Sequence, residues 1–405
     1  MRRASLATVF ITVFLDLLGF GLVVPYLPGV ARELGASDFT ATLVGTAYSI
    51  GQLFFVPVWG ALSDRVGRRP VLVVSVAATV VAMLMLGMAT SLWMIFAARV
   101  LGGVATANIA VAQAYIADVT EPRERPKGMA IVGIAIGLGF VLGPAIGGVL
   151  AAWDPSSRPG SLPAFVAAGL SLLNLGFALF ALPESLPPEK RRARGEPRAS
   201  RLAMLRGLSG RATLMRALVL NLVVIGSFAG FELTFRMYNE DQFGMSTAQT
   251  GQALLLAGLV MILVQGGLLP RLAKLYEERT LVVTGLGIEA VGFAIVASSP
   301  PSIAWLSIGT ATLSLGSALA NPSLAALVSR SSSASSQGSS LGLLQSSGAL
   351  ARVLGPPAAG ALYAAVSPRA PYVVAALGML LGCMIALGLS ARGEPKAAAA
   401  SPEQG

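Results

Sequence analysis

Long apolar runs alternate with short polar breaks along the whole chain. Apolar residues fill 6–28, 40–61, 70–89, 92–115, 129–152, 162–182, 215–238, 247–270, 280–299, 303–328, 339–365 and 371–391. A hydrocarbon layer about 30 Å thick needs about 20 helical residues at about 1.5 Å rise each, and these runs have that length. Backbone in lipid must satisfy its own hydrogen bonds. Runs this long and this rich in Ala, Leu and Gly therefore predict helices, not the alternating strands of a barrel, which are only about ten residues long. The pattern predicts an all-α polytopic membrane protein with twelve spans. They form two six-helix bundles, 1–182 and 215–391, joined by a cytoplasmic linker over 183–214 that is rich in Pro, Arg and Glu. A polar tail over 392–405 reads as disordered.

Composition agrees. Of the 405 residues 55% are hydrophobic and 12% charged, with a mean hydropathy of +0.74, whereas a soluble domain carries about 25% charged residues. The first run follows Arg2 and Arg3 as a secretory signal would. It continues apolar through Tyr26 without an Ala-x-Ala site and holds Asp16, so it reads as a retained span. The single cysteine, Cys383, excludes an intrachain disulfide, and the absence of histidine excludes both a Cys/His metal site and an imidazole proton relay. No cofactor or metal is expected.

The formal charge of +10 is distributed to one side. If both termini face the cytoplasm, Arg32, Arg158 and Arg369 fall in outer loops and Arg99, Arg236 and Arg352 fall within spans or at their ends. Every other one of the 29 lysines and arginines is then cytoplasmic. This is the positive-inside rule, and it predicts a multi-pass protein of the cell inner membrane with both termini cytoplasmic. It also makes nucleic acid the weaker explanation of the charge. There is no Gly-x-x-x-x-Gly-Lys-Ser/Thr segment to harness ATP, and no nucleophile, base or metal set for an enzyme. The expected partners are a small-molecule substrate, protons and the lipid bilayer, with the chain acting as a monomer.

Between the second and third runs the chain reads Gly60-Ala-Leu-Ser-Asp64-Arg65-Val-Gly67-Arg68-Arg69-Pro70. This resembles the loop signature of the major facilitator superfamily, G-x-L-x-D-R-x-G-R-R, at every specified position. The resemblance implies a gating loop in which Gly60 and Gly67 permit a tight reversal. In it Asp64, Arg65, Arg68 and Arg69 would latch the two halves together on the cytoplasmic side. The fifth run carries small residues at four-residue spacing, Gly139-x-x-x-Gly143-Pro144-x-x-Gly147-Gly148. That spacing permits close helix packing, and Pro144 kinks the helix. The segment resembles the motif of the superfamily's antiporter branch. Two more stretches, Asp16-x-x-Gly19-x-Gly21-x-x-x-Pro25-x-Leu27-Pro28 and Arg99-x-x-x-Gly103 running to Ala114-Tyr115-Ile116-Ala117-Asp118, are similar to the twelve-span drug/proton antiporters typified by the tetracycline exporters. The resemblance is strong in the first half and loose in the second, where Gly355-Pro356-x-x-x-Gly360 echoes the fifth run. The third run departs from those exporters, with Ala82 where an acid is expected, so tetracycline itself is not indicated.

A charge near the bilayer centre costs at least about 2.5–3.5 kcal/mol and is a functional candidate by default. Asp16, Arg99, Glu232, Arg236, Glu289 and Arg352 qualify. With no histidine, proton coupling would run through the carboxyls of Asp16, Glu232 and Glu289; the resemblance gives Arg99 the part of a fixed cation beside them. Glu232 and Arg236, four apart, either pair with each other or place Glu232 in the cavity as a ligand for a cation or a proton. Arg352 either complements Arg99 from the second half or forms a static pair. Polar positions within apolar runs, Tyr48, Gln52, Asn108, Gln113, Tyr115, Asn321 and Gln345, are expected to line the substrate cavity with Glu232, Arg236 and Arg352. The sequence thus points to a proton-coupled efflux antiporter for a small amphipathic or drug-like compound, with a metabolite or nutrient carrier on the same fold as the alternative.

Overall fold

Twelve helical crossings stand where the apolar runs stand. The computed structural model describes residues 2–106, 108–121, 125–154, 160–191, 212–332 and 337–389. Residues 192–211 of the expected linker, the tail from 392, Arg123 and Arg158 lie outside the described residues.

Span 1 begins as Arg2–Val23, passes a 3-10 turn at Val24–Tyr26 and ends as Leu27–Glu33. Pro25 and Pro28 each fall in the first turn of the segment that follows a break, where a missing N–H costs nothing. Span 2 is Asp38–Val66, opened by Ser37, whose side chain accepts from the Thr40 N–H at 3.2 Å. Span 3 is Arg68–Gly87, and span 4 is split into Leu92–Ala105 and Asn108–Val119. Spans 5 to 7 are Arg125–Ala152, Ser161–Ala181 and Ala212–Phe243. Span 8 is Thr247–Leu263, running through a π turn at Val264–Leu268 into Leu269–Leu272. Spans 9 to 12 are Glu278–Ser298, Ile303–Ser331, Gln337–Ala365 and Ala370–Leu387. Among the described residues no strand forms. Among the described residues, ten crossings are long and apolar enough to traverse a bilayer by length and composition alone. The outward faces are apolar as well: Phe180 is 91% exposed and Trp93 77%, exposure that lipid accommodates and water would not.

Helix packing repeats with a period of six spans. Span 1 packs on 5, 2 on 4 and 3 on 6, and likewise 7 packs on 11, 8 on 10 and 9 on 12. Across the middle, span 5 meets span 8 and span 2 meets span 11. Glycines set the distance in each half. A Cβ on Gly147 would lie 2.1 Å from the Leu22 carbonyl oxygen, and one on Gly143 would lie 2.6 Å from Gly21 Cα. In the second half a Cβ on Gly355 would lie 2.2 Å from the Gly226 carbonyl oxygen. With little hydrophobic force between helices in lipid, such backbone contact is what packs them.

The loop between spans 2 and 3 turns at Gly67, whose φ of 111° lies in the left-handed region. The described charge contacts of this loop lie within the first half. Arg68 donates to Ser63 Oγ at 2.7 Å, Asp64 at 2.5 Å and Asp118 at 3.0 Å. Glu184, just beyond span 6, accepts from the backbone N–H groups of Arg68 and Arg69, which begin span 3. Arg69 donates to the Leu179 carbonyl, and Arg65 is exposed. The loop ties spans 2, 3, 4 and 6 together, and no described contact carries it to the second half.

Because the partner of Gly147 is backbone and cannot rotate away, Gly147→Ala is expected to destabilise the protein by about 1–3 kcal/mol. The check is a lowered melting temperature of the purified protein in detergent, with Gly176→Ala, which has nothing near its would-be Cβ, left unchanged.

Candidate functional site

Three intramembrane charges are neighbours at the interface of the halves and a fourth, Asp16, adjoins them through Tyr48, each arriving on a different helix. Asp16 sits on span 1, Arg99 on span 4, Glu232 on span 7 and Arg352 on span 11. Glu232 has both guanidiniums as electrostatic neighbours, Arg352 from its own half and Arg99 from the other. Arg99 is only 2% exposed, whereas Asp16, Tyr48, Glu232 and Arg352 are half-buried, deep among the helices yet partly open.

The first half holds Arg99 by aromatic faces. Its Cζ lies 4.3 Å from the Tyr48 ring centroid and 5.5 Å from that of Phe20, and the two rings are 5.0 Å apart. Nε and Nη2 of Arg99 are sealed from solvent without a hydrogen-bond acceptor. The Tyr48 and Thr106 hydroxyls are hydrogen-bonded at 2.6 Å, and Thr106 also donates to the Gly102 carbonyl at 2.8 Å. Gly103 lets the backbones of spans 2 and 4 touch there, since a Cβ would lie 2.1 Å from the Tyr48 carbonyl oxygen. Asp16 faces the Asn108 amide and the Tyr48 hydroxyl. Asn108 Oδ1 in turn accepts from Ser75 Oγ at 2.8 Å.

Other expected members of the site lie elsewhere. Arg236 does not pair with Glu232: it points away from the centre, donating to the Tyr26 carbonyl at 2.9 Å and to Glu33 at 3.4 Å. Tyr115 does not line a cavity; it is fully buried in the first-half core, its hydroxyl donating to the Pro183 carbonyl at 3.0 Å. Asn108 is fully buried as well and reaches the site only through Asp16. Gln52 and Gln113 are half-buried, Gln345 is exposed, and half-buried Asn321 donates to Ser317 Oγ at 2.9 Å. Glu289 stands apart inside the second half, fully buried, with neither carboxyl oxygen hydrogen-bonded. Its neighbours are span 10, where Gly316 abuts its backbone, and Cys383 of span 12.

Sequence reading missed a second polar cluster, on the face that holds the loops between spans 1 and 2, 7 and 8, and 11 and 12. Arg32 donates from Nε to Asp38 at 2.8 Å and makes a bidentate pair with Asp241 at 2.9 and 2.7 Å. The Tyr363 hydroxyl also donates to Asp241, at 2.5 Å. Beside them Arg236 occupies the space that a side chain at Gly29 would take. Glycines close the same face: a Cβ on Gly148 would lie 2.8 Å from Gly251 Cα, and one on Gly360 2.1 Å from Thr42 Oγ1. The described polar contacts on the opposite face, where spans 2 and 3 are joined, stay within one half, as between Arg330 and Glu278 at 3.0 Å. Among the described residues, these polar contacts join the halves on this face, with the central charges beneath.

A model of the Major Facilitator Superfamily matches residues 9–276 and 267–405. The chain belongs to this superfamily. It is 31% identical to the class C tetracycline resistance protein of Escherichia coli, covering 89% of this chain and 90% of that protein. It is also 31% identical to the major facilitator superfamily domain-containing protein 10 of Bos taurus, over 93% of this chain and 90% of that protein. Among solved structures, the human organic anion transporter MFSD10 superposes with a TM-score of 0.71 at 26% identity, over 95% of this chain and 99% of that one. The nucleoside transporter NupG superposes at 0.78 over 95% and 99%, but at 12% identity it shows the fold alone. This is a multi-pass membrane transporter of small molecules, not an enzyme.

Each charged contact of the Arg32 cluster is worth about 1 kcal/mol at this partial exposure. Asp241→Asn is therefore expected to shift the open–closed balance of that face about fivefold. In a Cys383→Ser background, a membrane-impermeant maleimide applied from that face would alkylate a cysteine at Gln52 faster by that factor.

Proposed function

We propose that this transporter is a proton-coupled antiporter of the inner membrane, with both termini cytoplasmic, which exports a small amphipathic or drug-like compound by alternating access. One observation carries the reading: Glu232 of the second half faces Arg352 of its own half and Arg99 of the other. When the halves rock, Glu232 keeps Arg352 but parts from Arg99, and a carboxylate that loses a cationic partner in a low-dielectric site can take a proton in its place. Asp16, near the Tyr48 hydroxyl, is the second proton carrier. Glu289 is the third, enclosed away from the centre and reached only when spans 9, 10 and 12 loosen. The one-sided basic loops support the orientation, and with it the pinned face is the outer one, so the cluster opens to the cytoplasm.

Export of drug-like compounds is further supported by similarity to the tetracycline resistance proteins and to multidrug resistance protein 2 of Bacillus subtilis, 26% identical over 93% of each chain. The human relative described as an organic anion transporter favours a second reading, a carrier for another class of organic solute on the same site.

The test is accumulation of a panel of cationic, neutral and anionic compounds in efflux-deficient cells. Accumulation is expected to fall on expression and to recover with a protonophore. Glu232→Gln or Asp16→Asn should abolish the effect, while Glu289→Gln should leave a substantial part of it. Unchanged accumulation across the panel, or a rise for one compound, would replace export with the second reading.

A further inference from the structure

The central charges fall at two ends of opposite net charge. Glu232 lies among the guanidiniums, while Asp16 has a neutral amide and a phenol beside it. Tyr48 stands between the two ends, an electrostatic neighbour of Asp16 on one side and of Arg99 and Arg352 on the other. The Phe20 ring lies 5.0 Å from that of Tyr48, and the Arg99 guanidinium sits over both.

A cargo of either single charge answers only one end of this arrangement. A cation at Glu232 meets two guanidiniums that cannot be deprotonated. Arg99 has Nε and Nη2 without a hydrogen-bond acceptor, and its charge is shared between Glu232 and the ring faces of Tyr48 and Phe20. An anion at the guanidiniums leaves Asp16 without a counter-charge at the other end of the site. A molecule carrying both charges satisfies both ends, and an aromatic body suits the rings between them. Arg352 is half-buried and reachable, whereas Arg99 is sealed, so the direct contact falls to Arg352.

We propose that the cargo is a zwitterionic aromatic amphiphile, with its cationic group at Asp16, its anionic group at Arg352 and its ring system against Tyr48 and Phe20. This rests on the reading of the central cluster as the transport site, and it adds the polarity of the cargo within it. The cationic group and a proton would exchange at Asp16, while the anionic end stays anchored on the half that carries Glu232.

A matched set of dyes tests this on the purified full-length protein in lipid nanodiscs, by fluorescence anisotropy and without any proton gradient. Rhodamine B carries a carboxylate and a delocalised cation, its ethyl ester only the cation, and fluorescein only negative charge. Rhodamine B is expected to bind about tenfold tighter than either. Arg352→Gln should remove its advantage over the ester, while the ester, relieved of one repelling guanidinium, binds no more weakly than before, which also shows that the variant is folded. Asp16→Asn should remove its advantage over fluorescein. The proposal is overturned if the ester binds as tightly as rhodamine B, if Arg352→Gln weakens both dyes alike, or if rhodamine B does not bind. Because no gradient is present, loss of proton-driven export with dye selectivity intact would count against the coupling and not against the polarity of the site.

Discussion

Inside a bilayer a charged side chain has no bulk water to return to, and every ion there must be answered by protein. Arg99, Glu232 and Arg352 answer one another across the boundary between two halves of one chain, and Asp16 is answered by Asn108 and Tyr48. The cost of each, about 2.5–3.5 kcal/mol on insertion scales, makes the interface between the halves polar, partly open and able to rearrange. The rest of the molecule supports that interface. The aromatic cradle of Arg99, the Thr106 bond to Tyr48 and the Ser75 bond to Asn108 all fix the first-half groups in place.

For two bodies to move against each other, each has to be stiff. Stiffness here comes from helices in backbone contact along glycine seams, span 1 on 5 and span 7 on 11, where no side chain stands between the chains to repack. The superfamily's loop between spans 2 and 3 serves the same end in this conformation, since Arg68 binds Asp64 and Asp118 within one half. The seams between halves are thinner, pairing span 5 with 8 and span 2 with 11. They close through Gly148, Gly251 and Gly360, where the chains approach with little side chain between them.

The fold was legible because its signal is redundant: each span repeats the same apolar run, and one misread residue changes nothing. The central charges were legible for the opposite reason. Each of Asp16, Arg99, Glu232 and Arg352 is a single departure from an apolar helix that has to be accounted for. What could not be read was direction. In a helix apolar all round, no periodicity tells which face looks inward, so Tyr115 and Asn108 seemed cavity residues when they belong to the first-half interior. Arg236 seemed tied to Glu232 by spacing, yet the Tyr26 carbonyl and Glu33 take it. Arg32 and Asp241 carried no signal, because at the ends of spans charge is ordinary, and their meeting depends on two helices 209 positions apart in sequence.

The two arginines of the pinned face differ in what separation would do to them. Arg32 is held by Asp38 of its own half as well as by Asp241, and Asp241 by Tyr363 of its own half. When the halves part, each member of that pair keeps a partner, so the bridge can open and re-form with no ion left stranded. Arg236 has no such reserve: both of its described partners, the Tyr26 carbonyl and Glu33, lie across the boundary, and it is only 8% exposed. It must therefore find water before it lets go. On the proposed rocking of the halves, Arg32 would act as a clasp that sets which face is favoured, and Arg236 as a bolt whose hydration sets how fast that face opens.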